Sequence, residues 1–136
     1  MIGGDGELLE SLTENATPNI VMTGWTTPAE IWSASDIALL TSDNEAQPLS
    51  LVEAASAGLP LIGEDVGSVS EVILNHETGI VTNKNAGSIA SAIESLILDK
   101  TTRDEMGRLA TARAQALFSV DRMINAHIEL YKSIVK

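Results

Sequence analysis

The stretch from Asp36 to Pro60 constrains the fold of this chain more than any other. Asp36-Ile-Ala-Leu-Leu-Thr41 is a short apolar run bounded by polar residues, the pattern of a buried strand. After a polar loop, Pro48 suits the first turn of a helix, where its missing N–H is no loss. Leu49, Val52 and Ala55 give that helix an apolar stripe, and Gly58 with Pro60 gives it a stop. Ligands of open α/β sheets bind at the carboxyl ends of the strands. Here that end carries Glu45 in the loop and Glu53 on the second helical turn. Free N–H groups at the helix start favour an anion. Two acceptor-only side chains beside an anion site suit a ligand with both phosphate and hydroxyls, such as a nucleotide sugar.

The rest of the chain repeats the strand–helix alternation. Residues 7–14 read as a short helix, Asn19–Gly24 as a strand and Thr27–Ser33 as a helix opened by Pro28. Leu59–Gly63 is a further strand, Ser68–Leu74 a short helix and Gly79–Thr82 the last strand. Everything after that is helical. Ile89, Ile93, Leu96 and Ile97 mark one helix; Met106, Leu109 and Leu117 mark a second. Ser119 caps a third, with Val120, Met123, Ile124, Ile128, Tyr131 and Ile134 on its apolar side. Alternation of this kind predicts a Rossmann-like α/β domain, a parallel sheet with flanking helices and a helical C-terminal region.

A length of 136 residues fits one domain, 1–136, with a real core. The absence of cysteine excludes a disulfide framework and a thiolate metal site. With no secretory h-region and no membrane-length apolar run, a cytoplasmic location is expected. A net charge of −11 argues against nucleic acid as a partner, because phosphates demand a basic patch. The same charge raises a difficulty for a phosphate-bearing ligand, which must find helix N-termini or cations on an acidic surface.

Other candidate residues have ordinary readings. Trp25 either stacks on a base or covers core, and core is the commoner fate of a tryptophan. Trp32 lies on an apolar face with Ile31 and reads as core. Gly4-Asp-Gly6 lacks the third glycine of a dinucleotide fingerprint. His76 falls in a turn, and His127 has no second ligand at metal spacing. No nucleophile–His–acid arrangement is present, so no catalytic residue is assigned.

The run Glu45-Ala-Gln-Pro-Leu-Ser-Leu-Val-Glu53, continuing Ala-Ala-Ser-Ala-Gly-Leu-Pro60, resembles the donor-binding signature of the retaining, family 4 ("group 1") GT-B glycosyltransferases. Gly3-Gly-Asp-Gly6, Val21-Met-Thr-Gly24, Ala34-Ser-Asp36, Val66-Gly-Ser-Val-Ser-Glu71, Glu77-Thr-Gly-Ile-Val81 and Phe118-Ser119 follow in the family's order. The resemblance implies transfer of a hexosyl group from a nucleoside diphosphate sugar, with no metal and no cofactor. It places Glu45 at the hydroxyls of the transferred sugar and Glu53 at the ribose. The backbone around Gln47, Pro48, Leu49 and Ser50 would face sugar and diphosphate, and Gly24 and Trp25 would lie near the base. Ala46-Gln47 stands where the family usually has Gly and an aromatic or apolar residue, and Ser68 replaces the second glycine of a Gly-Gly turn.

The resemblance also implies what is missing. Only Met1 and Ile2 remain of the donor domain's second strand, and the first strand, the family's cationic Arg and Lys, and the N-terminal acceptor domain have no counterpart. The chain is then expected to be a truncated donor domain, inactive alone. The alternatives are a non-enzymatic interaction module and a subunit of a split glycosyltransferase completed by a partner chain. Strand 36–41 would keep an unpaired apolar edge, for which self-association is the favoured outcome over direct pairing with strand 19–24 or a partly molten domain.

Overall fold

Strand pairing in this chain is parallel throughout and divides into two separate sheets. The computed structural model describes residues 1–135, so Lys136 of the expected 1–136 domain lies outside the described residues. Ile2–Gly3 (β1) pairs with Met22–Gly24 (β2). Ala38–Leu40 (β3), Leu61–Glu64 (β4) and Gly79–Thr82 (β5) form the second sheet in that order. Their register sets Ala38 against Leu61 and Leu61 against Gly79.

Helices connect the strands. They are Leu9–Asn15 (α1), Pro28–Ser33 (α2), Leu49–Ser56 (α3) and Val69–Val72 (α4). Ala86–Leu98 (α5), Lys100–Leu117 (α6) and Val120–Ile134 (α7) complete the chain. Local chemistry explains their starts. Thr27 and Glu30 form a reciprocal capping box ahead of α2, with Pro28 at its first turn. Asn85, Asp99 and Ser119 each accept a backbone N–H three residues on, opening α5, α6 and α7.

The expected α/β class and element order hold, but several strands are shorter than their apolar runs. Strand 19–24 shrinks to Met22–Gly24, because its partner β1 is only two residues long. Strand 36–41 shrinks to Ala38–Leu40, which pairs with β4 on one side alone. Among the described residues β2 does not pair with β3, so the gap between the two sheets stays open.

One core cluster joins Leu51, Ala54 and Ala55 of α3 to Leu61, to Val69 and Val72 of α4, and to Ala110 and Ala114 of α6. A second, on the other face of the sheet, joins Ile62 to Ala92, Leu96 and Met106. Side-chain bonds from α6 tie it to α3 and α4 in the first cluster. Thr111 Oγ1 donates to the Ala55 carbonyl at 2.9 Å, and Arg113 donates to the carbonyls of Val72 and Glu71 at 3.1 and 2.7 Å. In contrast, no residue of α7 is buried; its capped, amphipathic pattern is intact, but its apolar side chains are exposed.

The approach of α6 to the end of α3 depends on Gly107, where a Cβ would lie 2.1 Å from the Gly58 carbonyl oxygen. Gly107→Ala therefore forces the two helices apart and is expected to destabilise by about 1–3 kcal/mol, as overpacked core sites do. Urea unfolding measures it, with Gly6→Ala, which meets nothing within 4 Å, as the neutral control. A loss below about 0.5 kcal/mol, the range of surface changes, contradicts this packing.

Candidate functional site

The site is built where β3 runs out. Beyond Leu40 the chain turns through residues 41–48 and re-enters as α3. Pro48 caps this helix with a non-helical backbone (φ −73°, ψ 89°), one residue earlier than a first-turn position, and its ring is buried. Its carbonyl accepts from the N–H groups of Leu51 and Val52, at 3.0 and 3.3 Å. The N–H groups of Leu49 and Ser50 have no acceptor among the described residues, and no side chain caps this end. These orphan donors and the helix dipole make a weakly positive spot on an acidic chain. Pro48 contributes by geometry, since it has neither an N–H nor an accessible ring.

Glu45 lies in the loop three residues before Pro48, and Glu53 on the second turn of α3. Glu53 is exposed on α3, opposite the buried Leu51, Ala54 and Ala55. Glu45 is half-buried, and its position is fixed through its backbone. Its carbonyl accepts the Ser68 N–H at 3.3 Å. Gly67 presses against the same carbonyl, where a Cβ would lie at 1.7 Å, and holds a left-handed φ of 50°. Only glycine satisfies both demands. Gln47 and Leu49 are exposed and Ser50 is half-buried at the same helix start.

A cleft of about 630 Å³ separates β1 from β3, and Glu53, Ser50, Trp25 and Gly4 all border it. Glu45, Gln47 and Pro48 do not. The reading of Trp25 as core is corrected here: it is 71% exposed. It follows β2 at the rim where the two sheets part, so no layer lies over it. Trp32 is half-buried against the core as expected, but it also borders the cleft, and its indole N–H is buried with no acceptor among the described residues. His76 sits in an exposed turn at φ 64°; His127 Nδ1 lies 2.8 Å from the Met123 carbonyl, and its ring centroid is 6.3 Å from that of Tyr131. Among the described residues no group of three His, Cys, Asp or Glu is placed to hold a metal.

Sequence reading missed a cation at this rim. Lys84, two residues past β5, makes an ion pair with Asp43 of the β3–α3 loop. The hydrogen bond from Lys84 holds the Asp43 carboxyl below its ordinary range, helped by direct charge attraction. The same bond holds the Lys84 ammonium above its ordinary value, and Glu64, nearly buried at the end of β4, adds to the effect. The signal was available. Lys84 follows a strand at its carboxyl end, and all such loops of a parallel sheet meet at one rim.

The fold and this rim have counterparts. Residues 1–99 match the family model described as glycosyl transferases group 1. The chain belongs to that family. A D-inositol 3-phosphate glycosyltransferase from Paenarthrobacter aurescens is 32% identical over 108 residues, covering 79% of this chain and 26% of that relative. Sucrose-phosphate synthase from Thermosynechococcus elongatus superposes with a TM-score of 0.86 at 25% identity, over 93% of this chain and 33% of that one. Anabaena HepE, crystallised with UDP and glucose, has a TM-score of 0.87 at 22% identity, over 96% of this chain and 39% of that one. The α/β architecture is therefore that of the GT-B glycosyltransferases. This group 1 chain spans about a quarter of the length of the curated relatives it matches. No described helix is long and apolar enough to cross a membrane.

The Asp43–Lys84 pair has a pH signature. A carboxyl depressed by its partner keeps the pair as pH falls below the ordinary aspartate range, and loses it when pH passes the folded-state pKa. In Lys84→Ala, the Asp43 titration followed by NMR is expected to move up toward the ordinary value. An unchanged midpoint means that the two side chains do not meet in solution.

Proposed function

We propose that this chain is the donor-binding part of a retaining glycosyltransferase, holding a nucleoside diphosphate sugar at the carboxyl rim of β3. One observation carries the reading: the α3 start, with Glu45 in the loop before it and Glu53 on its second turn, leaves the Leu49 and Ser50 N–H groups unpartnered among the described residues. The diphosphate sits at those donors, Glu53 accepts from ribose hydroxyls, and Glu45 accepts from the sugar. Trp25, exposed at the next rim loop with Gly24, offers a face for the base. The UDP and glucose of the HepE crystal support this donor class, and family membership supports group transfer.

The leaving group in such a transfer is the nucleoside diphosphate, so stabilising its growing negative charge is the main catalytic demand. Two backbone N–H groups and a helix end supply little of that. Lys84 is the cation seen at this rim, and Asp43 already engages it. The chain by itself is therefore expected to bind donor without turning it over, and to need further cationic groups and an acceptor-binding surface for transfer.

Binding is testable directly. Titration with UDP and other nucleoside diphosphates, followed by amide NMR, is expected to give affinities on the order of 0.1–1 mM, or roughly 4–5.5 kcal/mol. Shifts should map to residues 24–25 and 45–53; saturation without shifts there removes the site. Glu53→Gln should weaken binding by about tenfold or more, since hydrogen bonds to a charged group contribute about 1.5–3 kcal/mol. Its melting temperature should stay near wild type, because Glu53 is exposed. A variant that unfolds instead makes the carboxylate structural.

A further inference from the structure

Charge is divided unevenly along this chain. Residues 1–83 carry no lysine or arginine, so all eight basic residues lie from Lys84 onward. The ion pairs Lys100–Asp104, Glu105–Arg108 and Glu129–Lys132 each lie within one helix. Among the described residues, Lys84–Asp43 alone joins separate elements and reaches an acid of the first 83 residues. Lys84 starts two residues past β5 and spans the end of β4, the middle strand, to meet Asp43 in the loop after β3.

The pair ends on a segment with few other supports. Among the described residues, 42–47 makes one hydrogen bond to the rest of the fold, from the Ser68 N–H to the Glu45 carbonyl. At 3.3 Å that bond is long for N–H···O. Gly67 packs against the same carbonyl, and the buried ring of Pro48 fixes the far end of the segment. Glu45 therefore sits midway between two anchors, Asp43 before it and Pro48 after it. Without the Lys84 bond, the first half of the segment hangs on a single long hydrogen bond.

We propose that Lys84 is a positioning residue, whose bond to Asp43 latches segment 42–47 in the conformation that presents Glu45 to the sugar of the donor. The inference rests on the donor-binding reading above and assigns the latch to the sugar end of the ligand. The diphosphate meets the Leu49 and Ser50 N–H groups, which follow the separately buried Pro48, so its binding does not pass through the latch. An exposed ion pair adds little to stability. Its effect here is to order a loop in advance, a cost that binding otherwise bears. The competing role for Lys84 is as a cation for phosphate. Its ammonium is already held by Asp43 and attracted by Glu64, which disfavours that role.

The probes are UDP and UDP-glucose, titrated into the full chain and followed by amide NMR. Lys84→Met and Asp43→Asn are each expected to weaken UDP-glucose by about three- to tenfold, with UDP held within about twofold. The double variant should lose no more than either single one, because both remove the same contact. Lys84→Arg keeps the cation and should behave as wild type. Without ligand, the first two variants should speed exchange of the Ser68 N–H by about threefold or more as its acceptor loosens, with melting temperatures near wild type. Equal losses for the two nucleotides in Lys84→Met, or tighter UDP binding by Asp43→Asn, makes Lys84 a phosphate ligand and overturns the latch. An unchanged ratio of the two affinities or unchanged Ser68 exchange overturns it too. A wild type that gains nothing from the sugar removes the role of Glu45 there, and the latch with it. Absence of UDP shifts at residues 45–53 of wild type strikes the donor reading itself. Faster Ser68 exchange in Lys84→Met then still shows the latch, and unchanged exchange strikes both.

Discussion

Every layer of this protein hangs on the double pairing of β4. Leu61, Ile62, Gly63 and Glu64 are all buried, with β3 on one edge and β5 on the other. Parallel ladders of this length have no hairpin to hold them, and each crossover must return through a helix. The helices therefore carry the burden of closure. α3 and α4 cover one face through Leu51, Ala54, Val69 and Val72, while α5 covers the other through Ala92 and Leu96. α6 then locks the assembly through Thr111, Arg113 and the close approach at Gly107.

The candidate site is a by-product of that arrangement. Because β3, β4 and β5 run the same way, their following loops converge on one rim. The Glu45 carbonyl meets Gly67 and Ser68 after β4, and Asp43 meets Lys84 after β5. Three loops distant in sequence thus brace the start of α3. The rim is short of positive charge for a diphosphate, which its open helix N-terminus relieves only in part. That shortage underlies the proposal that this chain binds a donor without turning it over.

Much of the fold was legible because its determinants are local. Gly79–Thr82 emerges with the bounds that its apolar run implies, and Ser119 caps α7 as its side chain and spacing imply. Glu53 falls on the second turn of α3, opposite its buried stripe, as helical period demands. Trp25 was misread because residue type gives only an average tendency to burial. Its exposure depends on whether another layer happens to cover the rim beside β2. The Asp43–Lys84 pair was invisible for a related reason: an ion pair across 41 positions leaves no periodic trace.

The sequence by itself determined which segments become strands and helices, their order, and the placement of Glu45 before and Glu53 within the helix α3. Period, capping and turn chemistry act over a few neighbours, so the chain carries them anywhere. Only the tertiary structure decided that the strands part into two sheets, that Trp25 and Trp32 face a common cleft, and that the apolar side of α7 lies bare. Strand pairing and burial require a partner surface at the right place. Apolar character alone records a demand for such a surface, and the folded neighbours determine whether it is met.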